Sequence, residues 1–222
     1  MSRGPIKAEA LSVLRARGVP VSTVIDVGVL HGTKELILAY PDCEHILFEP
    51  VEEFAEEIGR AYAGISHRLI RAAVSDRSGT IGLATTSIIP GLAVSHSWMA
   101  EGGSRTVPMI SLDDYLKVNQ CGAPFFVKID VDGSEMQVLK GAEETLKRTS
   151  VVMIEAPVDS FAERVFFLQT AGFRIFDIVE PCYYDGGFWQ ADALMVKSAI
   201  YAGHFADIRT DFNPSKYDIF TG

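Results

Sequence analysis

Acidic residues and glycines follow an apolar run near the start of the chain. The stretch VIDVGVLHGT, residues 24–33, carries Asp26 at the end of the run and then Gly28 and Gly32. A strand that ends in a glycine turn and leads into a helix presents free backbone N–H groups to a ligand. The spacing D-x-G-x-x-x-G lacks the second glycine of the dinucleotide fingerprint, since Leu30 stands there. The turn therefore suits a ligand with an amine and a carboxylate better than one with two phosphates.

A second acidic residue, Glu49, ends the next apolar run, HILFE, and precedes Pro50. Glu49 follows Gly28 by 21 positions. At about this separation in the sequence, an acidic side chain accepts hydrogen bonds from the ribose hydroxyls of adenosine-type cofactors. Together with Asp26, it predicts S-adenosylmethionine as the cofactor. The alternative is that these are ordinary turn residues of an α/β protein that binds no cofactor.

A third group of charged residues, KIDVDG, ends a run that otherwise predicts a buried strand. Charged side chains in such a place are costly unless they are paired or used. Asp130 is the first candidate for a general base that takes a proton from a hydroxyl, with His96 and Glu155 as the other candidates. In the structural alternative, Lys128 forms a local salt bridge with a carboxylate and Asp132 caps the next helix.

Strand-like and helix-like segments alternate along most of the chain, which predicts an α/β fold with a doubly wound, mostly parallel sheet. The predicted strands are 22–28, 45–49, 67–74, 125–131, 151–156, 174–179 and 191–197, and the predicted helices are 33–40, 52–63, 111–116, 134–149 and 159–173. The alternating pattern breaks over residues 75–110, which we interpret as a substrate-facing insertion with at most short strands and no helix. We expect one domain over residues 1–222, with its core at about 21–198 and a tail, 199–222, of no clear period.

Composition restricts the partners. A formal net charge of −9 without a basic run disfavours nucleic acid as a partner, so we expect a small-molecule acceptor. The chain contains no uncharged apolar run of about 18 residues, so we expect no membrane-spanning segment. The three cysteines are far apart and no histidine has a ligand-like neighbour, so we expect no designed metal site. These features predict a soluble cytoplasmic protein, and they leave its oligomeric state open.

Several segments resemble, in order and spacing, those of the FkbM-type methyltransferases, a branch of the class I S-adenosylmethionine-dependent enzymes. The resemblance runs from roughly Thr23 to Lys197, and its most specific part is KIDVDGSEMQVLKGA; the other segments are VIDVGVLHG, HILFEP, AAVSDRSGTIGL, VPMISLDDYL and VVMIEAP. It implies a seven-stranded sheet with helices on both faces and an antiparallel last strand, ADALMVK. Many members are thought to methylate hydroxyls of sugars or natural products, which implies O-methylation of such a molecule.

Carried over residue by residue, the resemblance implies a set of contacts with the cofactor. Asp26, Gly28 and Gly32 would lie near its methionine part and Glu49 on its ribose, and Pro50, next to Glu49, would also contact the cofactor. The segment from Ala73 to Asp76, with Ser75, would lie near adenine, and Asp130 near the transferring methyl.

The chain departs from the family pattern at a few positions. The family commonly has D-V-G-A-N-x-G, so Val29 and Leu30 replace Ala and Asn, and Asp132 stands where Glu is usual. Two rival functions stay open. Asp130 and Asp132 also fit the D-x-D pattern of metal-dependent nucleotide-sugar glycosyltransferases, and the altered Leu30 fits an α/β binding protein without catalysis.

Overall fold

The computed structural model describes residues 4–87, 94, 96–100 and 102–220, and of His96 it describes the backbone alone. Two compact units make up the chain. The first unit is Val21–Thr149, and the second unit combines Met1–Pro20 with Ser150–Gly222. That the whole chain is one domain stays a prediction.

The strands of the first unit belong to two sheets. They are β1 (Thr23–Val27), β2 (Glu44–Phe48), β3 (His67–Ile70), β4 (Ala73–Val74), β5 (Gly79–Thr86), β6 (His96–Met99), β7 (Arg105–Ile110) and β8 (Phe125–Ile129). Strands β8, β1, β2 and β3 pair in that order and all run parallel. Every residue of β1 and β8 is buried, as continuous apolar runs in a parallel sheet require. Because parallel strands end at the same edge, their carboxyl ends bring Asp26, Glu49 and Asp130 into one region.

The insertion is more ordered than its sequence predicts. Strand β5 has eight residues and pairs antiparallel with both β6 and β7, and β7 pairs in parallel with β4. No helix lies among the described residues of 75–110, as expected. The sequence signals only short strands here because its glycines interrupt the pattern. Gly82 lies within strand β5, where the Ala100 carbonyl oxygen approaches it closely. An added Cβ would lie 2.3 Å from that oxygen, so only glycine permits the contact.

Helices connect the strands of the first unit. They are α2 (Lys34–Ala39), α3 (Ala55–Ala61), α4 (Leu112–Val118), α5 (Glu135–Lys140) and α6 (Glu143–Lys147). The Ser111 side chain accepts a hydrogen bond from the Asp114 amide at 3.1 Å and caps α4, as expected. The single helix predicted over 134–149 is wrong, because the chain breaks at Gly141. An added Cβ there would lie 2.0 Å from the Ser75 carbonyl oxygen, so the break lets two segments approach closely.

The second unit contains the remaining elements. They are α1 (Lys7–Ala16), β9 (Thr149–Pro157), α7 (Phe161–Thr170), β10 (Phe173–Tyr184), β11 (Gly187–Lys197) and α8 (Ser198–His204). Strand β11 lies between β10 and β9 and is antiparallel to both. Helices α1 and α8 were not predicted; α1 buries Ala10, Leu11 and Leu14, while no residue of α8 is buried.

The fold class is the predicted one. Four parallel strands, together with β9, β10 and the antiparallel β11, make up the seven strands expected from the sequence. The protein is therefore an α/β protein with a mostly parallel sheet and an antiparallel last strand.

Strands β1 and β8 meet at their carboxyl ends with almost no space between them. Gly28 has φ +81°, and an added Cβ would lie 1.7 Å from the Asp130 carbonyl oxygen. The Asp130 amide also donates to the Val27 carbonyl oxygen at 3.0 Å. Position 28 therefore requires glycine both for its backbone conformation and for this contact.

The same two strands bury an ion pair. The register places Asp26 opposite Lys128, and Lys128 Nζ lies 3.3 Å from Asp26 Oδ1. The Asp26 side chain is 0% exposed and the Lys128 side chain is 6% exposed. The Tyr62 hydroxyl donates to Asp26 Oδ2 at 3.3 Å. Because both charges are out of water, each depends on its partner to remain buried.

We predict that Gly28→Ala destabilises the protein by about 3 kcal/mol or more, since a Cβ would both strain the backbone and displace β8. Gly59→Ala is the control, because Gly59 lies inside α3 with nothing within 4 Å of an added Cβ. It should leave stability unchanged or raise it by about 0.5–1 kcal/mol. Chemical denaturation measures both variants. Equal stability of Gly28→Ala and the wild type would contradict the close approach of the two strands.

We also predict that Lys128→Met lowers the free energy of unfolding by about 3–5 kcal/mol, because it leaves the Asp26 carboxylate buried without its ammonium. The double variant Asp26→Asn with Lys128→Met should recover part of that loss, since it removes both buried charges. Urea titrations of the wild type, both single variants and the double variant give the coupling between the two positions. Additive effects of the two substitutions would show that the pair does not interact.

Candidate active site

A cleft opens at the carboxyl ends of β1, β2 and β8. It has about 460 Å³ of empty space, part of it open to solvent. Its lining comes from the strand ends, the loops that follow them, and strands β4, β5 and β6. The lining residues are Val27, Gly28, Leu30, Phe48, Glu49, Pro50, Ala72, Ala73, Val74, Leu83, Ser97, Trp98, Met99, Asp130, Val131 and Asp132. This is where open α/β sheets bind their ligands.

Glu49 is held firmly in the cleft by the backbone. It is 3% exposed, and its two carboxylate oxygens accept hydrogen bonds from the amides of Leu30 and Val51, each at 2.9 Å. Burial raises the pKa of Glu49, and the two amides oppose part of that rise. Each oxygen keeps further lone pairs, so the carboxylate can accept ligand hydroxyls while its own position stays fixed.

The loop after β1 has an unusual residue at its centre. Leu30 has φ +51°, in the left-handed region that β-carbon-bearing residues other than Asn and Asp seldom adopt. Its amide reaches Glu49, and its side chain lines the cleft. The family pattern commonly has Asn at this position, and Asn tolerates the left-handed backbone conformation. Leu30 presents an apolar side chain to the cleft where Asn would present an amide.

Asp130 lies in the cleft and is tied to the buried ammonium. Its carboxylate is 36% exposed, and its Oδ2 lies 3.3 Å from Lys128 Nζ. Lys128 also donates a short hydrogen bond to the Gly28 carbonyl oxygen. Burial by itself lowers the pKa of Lys128, but Asp130 and Asp26 together raise it above its ordinary value. Lys128 therefore stays charged and orients Asp130. The local salt bridge expected as the structural alternative is present, and it involves both carboxylates.

Asp132 lies on the loop that follows β8. This loop is shaped by Glu135, a fully buried residue whose Oε1 accepts hydrogen bonds from the amides of Val131 and Gly133 at 3.2 and 3.1 Å. Asp132 itself has φ +51°. Its Oδ2 accepts a hydrogen bond from the Ser97 amide at 3.3 Å, which joins the loop to strand β6 of the insertion.

The structure separates the predicted cofactor residues into two groups. Gly28, Glu49, Pro50, Ala73 and Asp130 line the cleft. Three others do not belong to its lining: Asp26, Gly32 and Ser75.

Each of those three has a packing or pairing role instead. Asp26 is fully buried against Lys128 and Tyr62. An added Cβ at Gly32 would lie 3.0 Å from the Ala61 side chain. Ser75 is 5% exposed and its amide donates to the Ile110 carbonyl oxygen at 3.0 Å. Direct contact between these side chains and a cofactor stays a prediction that the geometry does not favour.

The two alternative bases have different positions. His96 is on strand β6, but its side chain lies outside the described residues. Glu155 belongs to the second unit, where its Oε1 accepts a hydrogen bond from the Gln190 amide nitrogen at 2.7 Å. Of the two candidates whose side chains the structure describes, Asp130 lines the cleft and Glu155 does not.

Sequence reasoning missed most of the apolar lining. The sequence gives no sign that separates four apolar lining residues from ordinary core residues: Phe48, Val74, Leu83 and Met99. The alternation of larger and smaller side chains along β5 was the one signal for a sheet beside the cleft. Trp98 is 39% exposed and lines the cleft, so it forms part of the cleft wall.

The lining determines what the cleft can bind. Among the described residues of its lining, the charged side chains are all carboxylates: Glu49, Asp130 and Asp132. Such a lining favours cations and hydroxyl donors and disfavours phosphates, while the apolar walls suit a flat ring.

Two further possibilities find no support in the described part of the chain. Its His, Cys, Asp and Glu side chains form no group of three that could hold a metal ion. None of its helices is long and apolar enough to cross a bilayer.

Solved structures with a similar fold are methyltransferases. An rRNA methylase from Streptococcus thermophilus has a TM-score of 0.51 and 15% identity, covering 89% of this chain and 98% of that one. The METTL16 methyltransferase domain has a TM-score of 0.51 and 11% identity, covering 88% of this chain and 69% of that one. At these identities the likeness establishes the class I methyltransferase fold and nothing finer.

A curated relative is the hexuronic acid methyltransferase AglP of Haloferax volcanii. It is 33% identical over 86 residues, which cover 39% of this chain and 35% of that protein. The match thus spans about a third of the relative's length.

A family model fits a larger part of the chain. The model for the methyltransferase FkbM domain matches residues 26–175, which include the end of β1, all of β2 and β8, and every described residue that lines the cleft. The chain therefore belongs to the FkbM methyltransferase domain family.

Proposed function

We propose that this chain is an S-adenosylmethionine-dependent methyltransferase that methylates a hydroxyl group of a small molecule, either a sugar or a natural product. The observation that carries the proposal is a cleft, in a chain of the methyltransferase family, whose described charged side chains are all carboxylates, with Glu49 fixed by two backbone amides. S-adenosylmethionine is a cation with a ribose and a flat base, and each part has a matching surface here.

The residues that would hold the cofactor follow from the lining. Glu49 would accept the ribose hydroxyls, and Phe48, Ala73 and Val74 offer apolar surface for adenine. Gly28 contributes its backbone to the same lining. Asp26 and Lys128 would act from behind the cleft by orienting Asp130. When bound, the cofactor supplies a methyl group on a positively charged sulfur.

The chain's own chemical task is then alignment and proton removal. Asp130 is the favoured general base because its carboxylate lines the cleft and is oriented by Lys128. It would take the proton of the acceptor hydroxyl as that oxygen forms its new bond to carbon. His96 and Glu155 remain the other candidates for this role.

A small-molecule acceptor and a cytoplasmic location are parts of the same proposal. The net charge of −9 supports the first, because proteins that bind nucleic acid through phosphates carry basic surfaces. Similar folds occur in rRNA methylases, so the exclusion of RNA needs its own test. The absence of methyl transfer to total RNA would support it.

The D-x-D pattern favours a second function, a metal-dependent nucleotide-sugar glycosyltransferase. Asp132 is engaged with the Ser97 amide and Asp130 with Lys128, and an ammonium beside a metal-binding carboxylate competes with the metal. Calorimetric titration with UDP-glucose and Mn²⁺ decides between the two. Binding of UDP-glucose with Mn²⁺, and none of S-adenosylhomocysteine, would replace the methyltransferase proposal.

We predict that Glu49→Gln weakens binding of S-adenosylhomocysteine about tenfold or more, because hydrogen bonds to a charged acceptor contribute about 1.5–3 kcal/mol. Isothermal titration calorimetry measures the change. Glu56→Gln is the matched control, since Glu56 is an exposed residue of α3 in the same unit. Equal affinities of Glu49→Gln and Glu56→Gln would remove Glu49 from the cofactor site.

Binding should also depend on pH through Glu49. Burial raises the pKa of Glu49 above its ordinary value of 4.5. Lowering the pH through that raised pKa protonates the Glu49 carboxylate, which weakens S-adenosylhomocysteine binding. Stability changes in the opposite direction. A raised pKa in the folded state means that this group's stabilising contribution is present at low pH and lost as pH rises. Titrations between about pH 4.5 and 8 should show the loss of affinity in the wild type and a flatter profile in Glu49→Gln. The same slope in both proteins would assign the pH dependence to another group.

A further inference from the structure

Carboxylates outnumber positive charges around the cleft. Glu49, Asp130 and Asp132 line it, and Asp26 lies behind Asp130 against the same ammonium. Lys128 is the cation in this group, and it contacts two of the four carboxylates. S-adenosylmethionine carries one net positive charge, so the excess of negative charge would persist with the cofactor bound.

The sequence supplies no hidden compensation from the undescribed part of the insertion. Residues 88–93 are IIPGLA, and positions 95 and 101 are Ser and Glu. None of these is Lys or Arg. Arg105, at the start of β7, is engaged with Glu53 in a two-point ion pair at 2.6 and 2.5 Å.

Asp132 is a second carboxylate through which the cleft could contact an acceptor. It is an exposed residue of the cleft lining. The Ser97 amide and the Glu135-shaped loop fix it beside strand β6. The next residue of β6, Trp98, also lines the cleft and is 39% exposed. An aromatic surface beside a hydroxyl-accepting carboxylate is suited to a sugar ring, whose faces are apolar and whose edges donate hydrogen bonds.

Building on the proposed methyltransferase function, we propose that the acceptor is a sugar without a carboxylate group and that Asp132 determines this specificity. The Trp98 ring would contact a face of the sugar, and Asp132 would accept its hydroxyl hydrogen bonds while repelling an acidic sugar. The relative AglP differs in this respect, since its name gives a hexuronic acid as its substrate.

The test compares acceptors that differ in charge. Methyl glucoside, methyl glucosaminide and methyl glucuronide are each incubated with labelled S-adenosylmethionine near pH 8, and kcat/KM is measured for each. We expect the glucoside to exceed the glucuronide by about tenfold or more, since like charges at close range in a partly buried site repel by at least 1.4 kcal/mol. Raising the ionic strength from 0.05 to 0.5 M should reduce that ratio, because salt screens the repulsion.

Asp132→Asn is the decisive variant, because Asn tolerates the left-handed backbone at this position and loses only the charge. We expect it to reduce the ratio of glucoside to glucuronide by about threefold or more. Asp185→Asn is the matched control, since Asp185 is also an exposed aspartate at φ +49° but lies in the β10–β11 turn; its ratio should equal that of the wild type.

The outcomes separate this inference from the function on which it rests. Equal or faster methylation of the glucuronide, or an unchanged ratio in Asp132→Asn, would overturn the role of Asp132. No methylation of any of the three sugars by a protein that binds S-adenosylhomocysteine would overturn the sugar acceptor and leave the cofactor proposal standing. No binding of S-adenosylhomocysteine would remove both.

Discussion

The buried ammonium of Lys128 is the interaction on which the rest of the candidate site depends. It lies 3.3 Å from the carboxylates of both Asp26 and Asp130 and bonds the carbonyl of Gly28. One cation thereby joins the ends of β1 and β8 and fixes the acidic residue that faces the cleft. Removing a partner from such a group costs far more than the group contributes to stability. Its presence is therefore better explained by the positions it imposes than by the stability it adds.

The surrounding loops hold the other acidic side chains by the same means, with backbone amides in place of a cation. Two amides fix Glu49, two more fix Glu135 beneath the loop that carries Asp132, and the Ser97 amide bonds Asp132 itself. The cleft is consequently acidic in a preorganised way. A ligand that brings positive charge and hydroxyl groups finds acceptors already in place, whereas the phosphates of a nucleotide would meet like charge.

The sequence predicted the frame well and the walls poorly. Strand ends such as Asp26, Glu49 and Asp130 were identifiable because charges rarely end buried apolar runs without a reason. The antiparallel last strand followed from the resemblance, and the family match confirms that resemblance. The role of Asp26 could not be separated from that of Asp130, because a strand pattern does not reveal that Lys128 lies opposite one and beside the other. The break at Gly141 and the sheet of the insertion depend on contacts between distant segments, which local patterns do not encode.

The most direct test of the account is a crystal structure of the protein with S-adenosylhomocysteine. The account predicts the ligand in the cleft at the ends of β1, β2 and β8, with its ribose hydroxyls on Glu49 and its sulfur on the side of Asp130. It also predicts that Asp26 and Lys128 remain paired behind the ligand. A ligand bound elsewhere, or with its ribose away from Glu49, would contradict the assignment of this cleft as the cofactor site.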